Sequence, residues 1–213
     1  MKKAKTADLI DLIINVLVVI LCTVAVSFFF TRDTLSVLGV SGTTCFCYFT
    51  IDANILAALS CLVQIPFCVK ALTGGEATRP AWAFKLKYVG TVLLTLTMLV
   101  VVCYLIPVQG LRKMTASSNL YLHILCPPLV ILSFLLLEKG KIKKRDALWS
   151  TGTVLIYAAV YLIMVVAVGP DKGGWPDFYN FNDNNTWPYF FAGIMVFTYL
   201  VSRLVCFVKS KIR

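Results

Sequence analysis

Charged side chains are scarce in this sequence. Of its 213 residues, 14% are Asp, Glu, Lys or Arg, while 59% are hydrophobic. A soluble domain has about 25% charged residues and about 45–50% apolar ones. The composition therefore excludes an ordinary water-soluble domain and indicates a membrane protein.

Histidine and the common catalytic motifs are also nearly absent. The chain has a single histidine, His123, and no GxxxxGK, GxGxxG, GxSxG or HExxH motif. No motif therefore supports a nucleotide-binding protein, a serine esterase or a zinc protease. The eight cysteines include no CxxC pair, and the Cys45 and Cys47 spacing is poor for structural zinc. A disulfide among the cysteines of the non-cytoplasmic side is left open.

Long, charge-poor apolar runs are the main feature that is present. Each run is long enough to cross a hydrocarbon core of about 30 Å as a helix that rises about 1.5 Å per residue. The predicted spans are residues 9–30, 45–69, 84–107, 120–137, 147–168 and 187–208. We therefore predict an all-α integral membrane protein whose residues 1–213 form a single six-helix transmembrane domain. The first run is long for a cleaved signal peptide and lacks a processing site, so we expect it to stay in the mature protein.

Lysine and arginine are distributed unevenly between alternate sides of these spans. Sixteen of the twenty lie near the two termini and around the connections after the second and fourth spans, and four lie in the other loops. The positive-inside rule then places both termini in the cytoplasm. The net charge of +10 is explained by this topology and by anionic lipid, so we expect no nucleic-acid partner.

The loop over residues 169–186 is the longest on the non-cytoplasmic side. It is rich in Gly, Asp, Asn and aromatic residues. A loop of this length is typical of a lid over a functional site, but an ordinary hydrated turn would have the same composition. The sequence leaves both interpretations open.

Polar side chains inside apolar spans are costly, so the few that occur are the best candidates for a functional site. Thr50, Asp52 and Asn54 lie near the outer end of the second span, and His123 follows Asn119 at the outer end of the fourth. Both spans run inward from the non-cytoplasmic side, so both sets fall at a similar depth. We predict that the two sets face each other in the outer-leaflet half of the bundle.

A hydroxyl and an imidazole at one depth are the minimum parts for nucleophilic acyl transfer. Thr50 would be the nucleophile and His123 the general base. Asn54 and Asn119 lie one helical turn from these two residues, where an amide would orient them or help to hold an oxyanion. Asp52 lies on the far side of its helix from the hydroxyl and is expected to pair elsewhere or stay neutral.

Two prolines follow the histidine and should open its helix. Pro127 and Pro128 have no amide hydrogen, so the carbonyls of His123 and Ile124 lose their helical partners. In a membrane such groups must find a side chain, a water or a ligand. The prolines therefore predict a polar pocket beside the histidine.

Simpler interpretations of the same residues remain open. A threonine in a membrane helix usually bonds the carbonyl three or four residues earlier, and a lone histidine can simply link two helices. A non-enzymatic protein could also bind lipid, or conduct protons or a small solute through Asp52 and His123. A pathway needs polar residues from face to face, whereas we expect them in the outer half, with Leu, Val and Ala in the inner half. That expectation favours a one-sided pocket.

Two segments resemble a known family. Residues 47–58 (CYFTIDANILAA) and 119–128 (NLYLHILCPP), together with the order and spacing of the spans, resemble the prokaryotic six-span branch related to the androgen-induced and androgen-dependent TFPI-regulating proteins. Members of the animal branch are membrane threonine hydrolases that cleave fatty acid esters of hydroxy fatty acids. The resemblance implies Thr50 as nucleophile, His123 as general base and a lipid ester with acyl chains as substrate.

The resemblance also implies a place and a route for the reaction. We expect a bacterial cytoplasmic membrane, with the lipid entering the bundle laterally from the bilayer. The ester carbonyl would lie near Thr50, and water from the outer side would release the acid from an acyl-threonine. This chemistry requires neither a metal nor a cofactor.

Overall fold

A computed structural model describes residues 2–31, 40–74 and 79–212, and these residues contain no β-strand. Six helices in it are long and apolar enough to cross a membrane: α1 (Lys5–Phe30), α2 (Phe49–Leu72), α3 (Ala81–Gln109), α4 (Leu120–Leu137), α5 (Lys144–Val168) and α6 (Trp187–Lys211). The prediction of six apolar helices is confirmed, and these helices support an integral membrane protein.

The start of α2 differs from the expected one. The sequence predicts a span from residue 45, but Gly42–Cys47 forms a separate 3-10 helix. Tyr48 is extended, with φ −95° and ψ 125°, and α2 begins at Phe49. Thr50 is therefore the second residue of its helix, and lies closer to the helix end than the five residues expected from the apolar run.

The first four helices pack into a close group, and α5 and α6 pair beside it. Gly90 of α3 makes one of these contacts possible, since a Cβ there would lie 2.9 Å from the Cα of Ala57 and 3.0 Å from the Oγ of Ser60. Any larger residue would force α2 and α3 apart. The interior between the helices is mainly Val, Leu, Ala and Cys.

Side-chain contacts show which helix ends lie together. Asp11, near the start of α1, bonds Cys68 near the end of α2 and Ser133 in the last turns of α4. Lys209, near the end of α6, donates to the carbonyl of Glu138, just after α4. We call this the terminal end of the bundle. The opposite end, which carries residues 169–186, is the loop end.

Four segments of the helices are π-helical, with hydrogen bonds spaced five residues apart. They are Val101–Leu105, Leu120–Leu125, Ser133–Leu137 and Ile163–Val168. The first, second and fourth lie toward the loop end. π-helical segments are rare in proteins, but those that occur are often at functional sites. The loop end, which has three of them, is therefore the better candidate for such a site.

Candidate functional site

An apolar cavity of about 350 Å³ lies at the loop end between α2, α3, α5 and α6. It extends from the start of α2 toward the middle of the bundle. The residues that define its two ends are Phe49, Thr50, Tyr157, Tyr179 and Trp187 toward the loop end, and Leu96, Thr97, Val154 and Thr198 toward the middle. Its size and its apolar walls suit an acyl chain better than a charged metabolite.

Thr50 lines this cavity, and its hydroxyl makes no hydrogen bond to any residue that the structure describes. The reason is its position at the start of a helix. The carbonyl three residues earlier, on Cys47, already accepts the hydroxyl of Tyr157 at 2.7 Å. The simpler interpretation, in which Thr50 bonds its own helix, is therefore not what the structure describes.

Other threonines within the helices behave differently. Six of them donate to the carbonyl four residues earlier, at 2.7 to 3.1 Å: Thr23, Thr91, Thr95, Thr97, Thr151 and Thr153. Thr198 of α6 is an exception like Thr50. It is fully buried, its Oγ1 has no partner, and it lines the same cavity. Sequence reasoning missed Thr198, because an isolated threonine in an apolar run carries no distinguishing pattern.

His123 lies in the π-helical segment of α4 and is 9% exposed. Its Nδ1 is buried without a hydrogen-bond partner. His123 is not among the residues that line the cavity, and no hydrogen bond joins its ring to Thr50. Leaving a buried nitrogen unpaired costs about 1–3 kcal/mol, so a purely structural histidine would be expected to find a partner.

Asn54 brings the two candidate helices together. Its Nδ2 donates to the carbonyl of Thr50 at 2.8 Å and to the carbonyl of Leu122 at 3.1 Å. The backbones of Thr50 and of Leu122, the neighbour of His123, therefore both contact the amide nitrogen of Asn54. Because both Nδ2 hydrogens are used on backbone, Asn54 fixes the helix contact and has no further hydrogen to donate to an oxyanion.

The prolines act one residue earlier than predicted. The N–H of Cys126 bonds the carbonyl of Tyr121, five residues back, so α4 is in π register here. In that register the missing amide hydrogen of Pro127 would have served Leu122. The carbonyl of Leu122 is the one that accepts Asn54. The expectation that an opened carbonyl seeks a side chain therefore holds at Leu122, and in the same register Pro128 removes the partner of the His123 carbonyl.

The two remaining predicted residues, Asn119 and Asp52, differ in their contacts. Asn119 is buried and donates to the carbonyl of Lys113 at 3.1 Å, which closes the turn before α4. Asp52 is half-buried, and its carboxylate has no hydrogen bond or ion pair in the described residues. It lies in the first turn of α2, where a helix dipole favours negative charge.

The loop over residues 169–186 covers the cavity. Tyr179 and Phe181 line the cavity, and the hydroxyl of Tyr179 accepts the N–H of Phe49 at 3.1 Å. Burial raises the pKa of Tyr179 to about 12, so this phenol is neutral. Tyr161 packs its ring against both of these side chains and against Phe178. Residues 169–186 therefore form a folded segment over the cavity, which agrees with the interpretation as a lid better than with that as a hydrated turn.

Asp177 organises the cover. Its carboxylate accepts the N–H groups of Phe181 and Asn182 at 3.0 and 2.7 Å, and the hydroxyl of Tyr161 at 2.7 Å. Burial opposes ionisation, but the N–H of Asn182, the hydroxyl of Tyr161 and the N–H of Phe181 outweigh it and hold the pKa of Asp177 below its usual value. The ionised form is therefore the one that holds the loop in place.

An open aromatic groove of about 390 Å³ adjoins the cavity on the outer surface of α6. Its lining residues are Phe181, Tyr189, Phe190, Gly193, Ile194 and Phe197. Phe181, Ile194 and Phe197 line both the groove and the cavity. A Cβ at Gly193 would meet no atom within 4 Å, so the groove has free space at this position.

A buried ionic cluster at the terminal end corrects the expectation that only Leu, Val and Ala fill that half. Arg79 binds Asp11 at 2.7 Å and also binds Glu138, and all three side chains are at most 5% exposed. Burial alone would lower the pKa of Arg79, but Glu138 and Asp11 together raise it, so it stays charged. Lys87 is fully buried and donates to Asn15 at 2.5 Å.

Polar residues spaced four apart are the pattern that could have revealed this cluster. They form stripes on three helices: Asp11 and Asn15 on α1, Ser60, Gln64 and Cys68 on α2, and Lys87, Thr91 and Thr95 on α3. Residues four apart share one face of a helix, so each stripe predicts a buried polar seam. The positive-inside argument counted Arg79 and Lys87 as loop charges, but both side chains are buried in the structure.

The described part of the chain includes all eight cysteines and most of the other side chains that could ligate a metal. No three His, Cys, Asp or Glu side chains gather there as metal ligands. All eight cysteines, each of them described, are free thiols in this structure. Comparison with protein-family models, curated proteins and solved structures finds no match for this chain.

Proposed function

We propose that this protein is an intramembrane lipid-ester hydrolase in which Thr50 is the nucleophile and His123 the general base. The observation that carries the proposal is the state of the Thr50 hydroxyl. It is free of hydrogen bonds in the described residues and lies on the wall of an apolar cavity. A hydroxyl kept unbonded beside a space for an acyl chain is placed to attack a carbonyl.

The substrate reaches the cavity from the bilayer. The open aromatic groove on α6 shares Phe181, Ile194 and Phe197 with the cavity wall, and in a bilayer it would face the lipid. An acyl chain can pass from one to the other without crossing water. The cover over residues 169–186 then keeps the chain under Tyr179, with the ester near Thr50.

The reaction has two steps. As the Thr50 oxygen bonds to the ester carbonyl carbon, His123 takes the hydroxyl proton; the ester C–O bond then breaks and the departing alkoxide receives that proton. A water molecule next attacks the acyl-threonine, gives one proton to His123, and displaces the threonine oxygen, which takes the proton back. The products are an alcohol and a fatty acid.

His123 suits the role of base because it is buried and its Nδ1 is not occupied by any described residue. Asn54 holds α4 against the start of α2 at this level. The imidazole and the hydroxyl are not bonded to each other in the described structure. Catalytic hydrogen bonds often form only in the substrate complex, and we assign the closing movement to the π-helical segment that carries His123.

The orientation of the site follows from the distribution of basic residues. With both termini in the cytoplasm, the loop end and Thr50 lie in the outer-leaflet half of a bacterial cytoplasmic membrane. Water for the second step then comes from the non-cytoplasmic side. Labelling of single cysteines introduced in the loop over residues 169–186, with a reagent that cannot cross the membrane, tests this orientation.

The test of the function is turnover of ester lipids by purified protein. Thr50→Ala and His123→Ala should each lower hydrolysis by at least about 100-fold, because both remove a group that acts in the bond-making step. Thr97→Ala is the matched control, since Thr97 lines the same cavity but its hydroxyl is already bonded to Leu93 at 3.1 Å. Turnover by Thr50→Ala at the wild-type rate removes the assignment.

Lipid binding without chemistry is the second candidate. It is favoured by one observation, the absence of a hydrogen bond between the Thr50 hydroxyl and the His123 ring in the described structure. A pure binding protein would retain co-purified lipid in Thr50→Ala and would hydrolyse no ester in its wild-type form. Absence of wild-type turnover across ester lipids of different chain length, together with unchanged lipid binding in the variant, would favour this candidate.

A further inference from the structure

The inner part of the cavity contains a polar group with no protein partner. Thr198 follows Trp187 by eleven residues, which corresponds to about 16 Å along α6. Its side chain is 0% exposed and lines the cavity, yet its Oγ1 has no hydrogen bond. Thr97 lines the same cavity and does bond its own helix.

The hydroxyls around Thr198 cannot supply the missing bond because they are engaged with one another. Ser202 donates to the carbonyl of Thr198 at 2.7 Å, and its hydroxyl also meets that of Ser150 at 2.7 Å. Tyr88 donates to the carbonyl of Ser202 at 2.9 Å. These contacts engage the neighbouring hydroxyls, and the cavity that Thr198 lines is a side from which an occupant can supply the partner.

An unpaired hydroxyl in an apolar space is unfavourable, so its presence points to an acceptor in the occupant of the cavity. A plain hydrocarbon chain has none. An oxygen substituent at the depth of Thr198 would accept the hydrogen bond, and the surrounding Leu96 and Val154 would contact the carbons on either side. The unpaired hydroxyl would then select among chains by the position of that oxygen.

We propose that the cavity binds an acyl chain that carries an oxygen acceptor within the chain, and that Thr198 recognises this oxygen. Thr198 is thus a specificity-determining residue. The placement of the ester at the other end of the cavity rests on the proposed function. The recognition of the chain oxygen does not require any bond to be cleaved.

Binding of free fatty acids to the purified protein tests the proposal. The probes have one chain length and differ only in the position of a single keto group, which can accept but not donate. We expect one position to bind about tenfold more tightly than the unsubstituted acid, as one hydrogen bond in a dry site would give. Thr198→Val should abolish that preference, Thr198→Ser should retain it, and Thr97→Val should leave it unchanged.

Three results would overturn the proposal. They are equal binding of all probes by the wild type, a preference that survives Thr198→Val, and a preference that Thr97→Val removes equally. Thr198→Ser restores the hydroxyl, so a folding defect of the valine variant does not decide the outcome. Because the probes contain no ester, a failed hydrolysis test leaves this readout intact, and a flat binding series leaves the role of Thr50 untouched.

Discussion

The terminal end of the bundle holds a buried ionic cluster, whereas the loop end holds unpaired polar groups beside a cavity. The contrast is one of charge, since Gln64 Oε1 and Glu138 Oε1 at the terminal end also lack a hydrogen-bond partner. At the terminal end, Arg79, Asp11 and Glu138 form ion pairs, and Lys87 bonds Asn15. At the loop end, the Thr50 hydroxyl has no hydrogen bond in the described residues, and the His123 Nδ1 is buried without a partner. The Thr198 Oγ1, toward the middle of the bundle, is also buried without a partner.

The difference separates stability from function. Buried charges that meet opposite charges hold segments together, and removal of one partner is costly. Unpaired groups lower stability, and one that lines a cavity, such as the Thr198 hydroxyl, leaves room for a ligand to supply the missing partner. Between the two ends lie buried apolar residues such as Val18, Ala57 and Val92. Buried polar side chains also lie between the two ends, among them Thr91, Thr97 and Ser202, so the proton or solute pathway through Asp52 and His123 stays an open alternative.

The largest expected effect is at the terminal end. Arg79→Met should lower the free energy of unfolding by about 3–5 kcal/mol, because it leaves the Asp11 and Glu138 carboxylates buried without their cation. Thermal or denaturant unfolding in detergent measures the change. Lys139→Met is the control, since the Lys139 side chain that pairs with Asp8 is 61% exposed and the pair should contribute less than about 1 kcal/mol. Equal effects of the two variants would contradict the structural role of the cluster.

A smaller effect is expected in the cover. Asp177→Asn should loosen the loop by about 1–2 kcal/mol after allowance for solvent screening, because the charged acceptor of the Phe181 and Asn182 N–H groups is lost. Amide hydrogen exchange at these two residues should become faster. Asp171→Asn, at an exposed position in the same loop, should leave exchange unchanged.

The same contact predicts a pH dependence. The pKa of Asp177 is lower in the folded loop than in an unfolded chain. Its stabilising effect is therefore complete above the unfolded pKa and is lost as the pH falls through the folded one. Trp175 packs on Tyr161 and should report the loosening by fluorescence in an acid titration. The acid transition should be absent in Asp177→Asn, and an unchanged transition would exclude Asp177 as its cause.

At the inner part of the cavity a substitution should increase stability. Thr198→Val removes an unpaired buried hydroxyl at nearly constant volume, so the free energy of unfolding should rise by about 1 kcal/mol. Thr97→Val removes a hydroxyl that is already bonded and should bring no gain. Loss of stability in Thr198→Val would show that this hydroxyl has a structural partner after all.

The smallest stability effect and a clear kinetic one are expected in the groove. Gly193→Trp should fill the aromatic groove and slow the association of lipid while leaving unfolding nearly unchanged, since no atom lies within 4 Å of the new Cβ position. Gly152→Trp is the control, because Gly152 also has open space but lines neither the groove nor the cavity. Equal association rates in the two variants would place the lipid route elsewhere.

The helices were predictable because the bilayer imposes one solution on long apolar runs. Their ends were less so: Tyr48 separates the 3-10 helix from α2, and nothing in the apolar pattern marks that break. The meeting of α2 and α4 near Thr50 and His123 followed from equal depth and is supported by Asn54. A direct bond between the two side chains remains a prediction.

Other parts of the site depend on contacts between distant segments, which a sequence does not display. From the sequence alone Arg79 is a loop cation. Only the structure shows that Asp11 and Glu138, which are distant in the chain, bind it. Thr198 reads as a packing residue, and only the absence of a bond to its own helix distinguishes it. The covering role of residues 169–186 likewise depends on where Asp177 finds its donors.

The most direct test of the central claim is to map a covalent adduct by mass spectrometry after treatment with a lipid-like fluorophosphonate. The account predicts modification of Thr50 in the wild type and in Thr97→Ala, with loss of labelling in Thr50→Ala. A wild-type protein that hydrolyses ester lipid but carries the adduct on another residue, or that labels equally in Thr50→Ala, would contradict it.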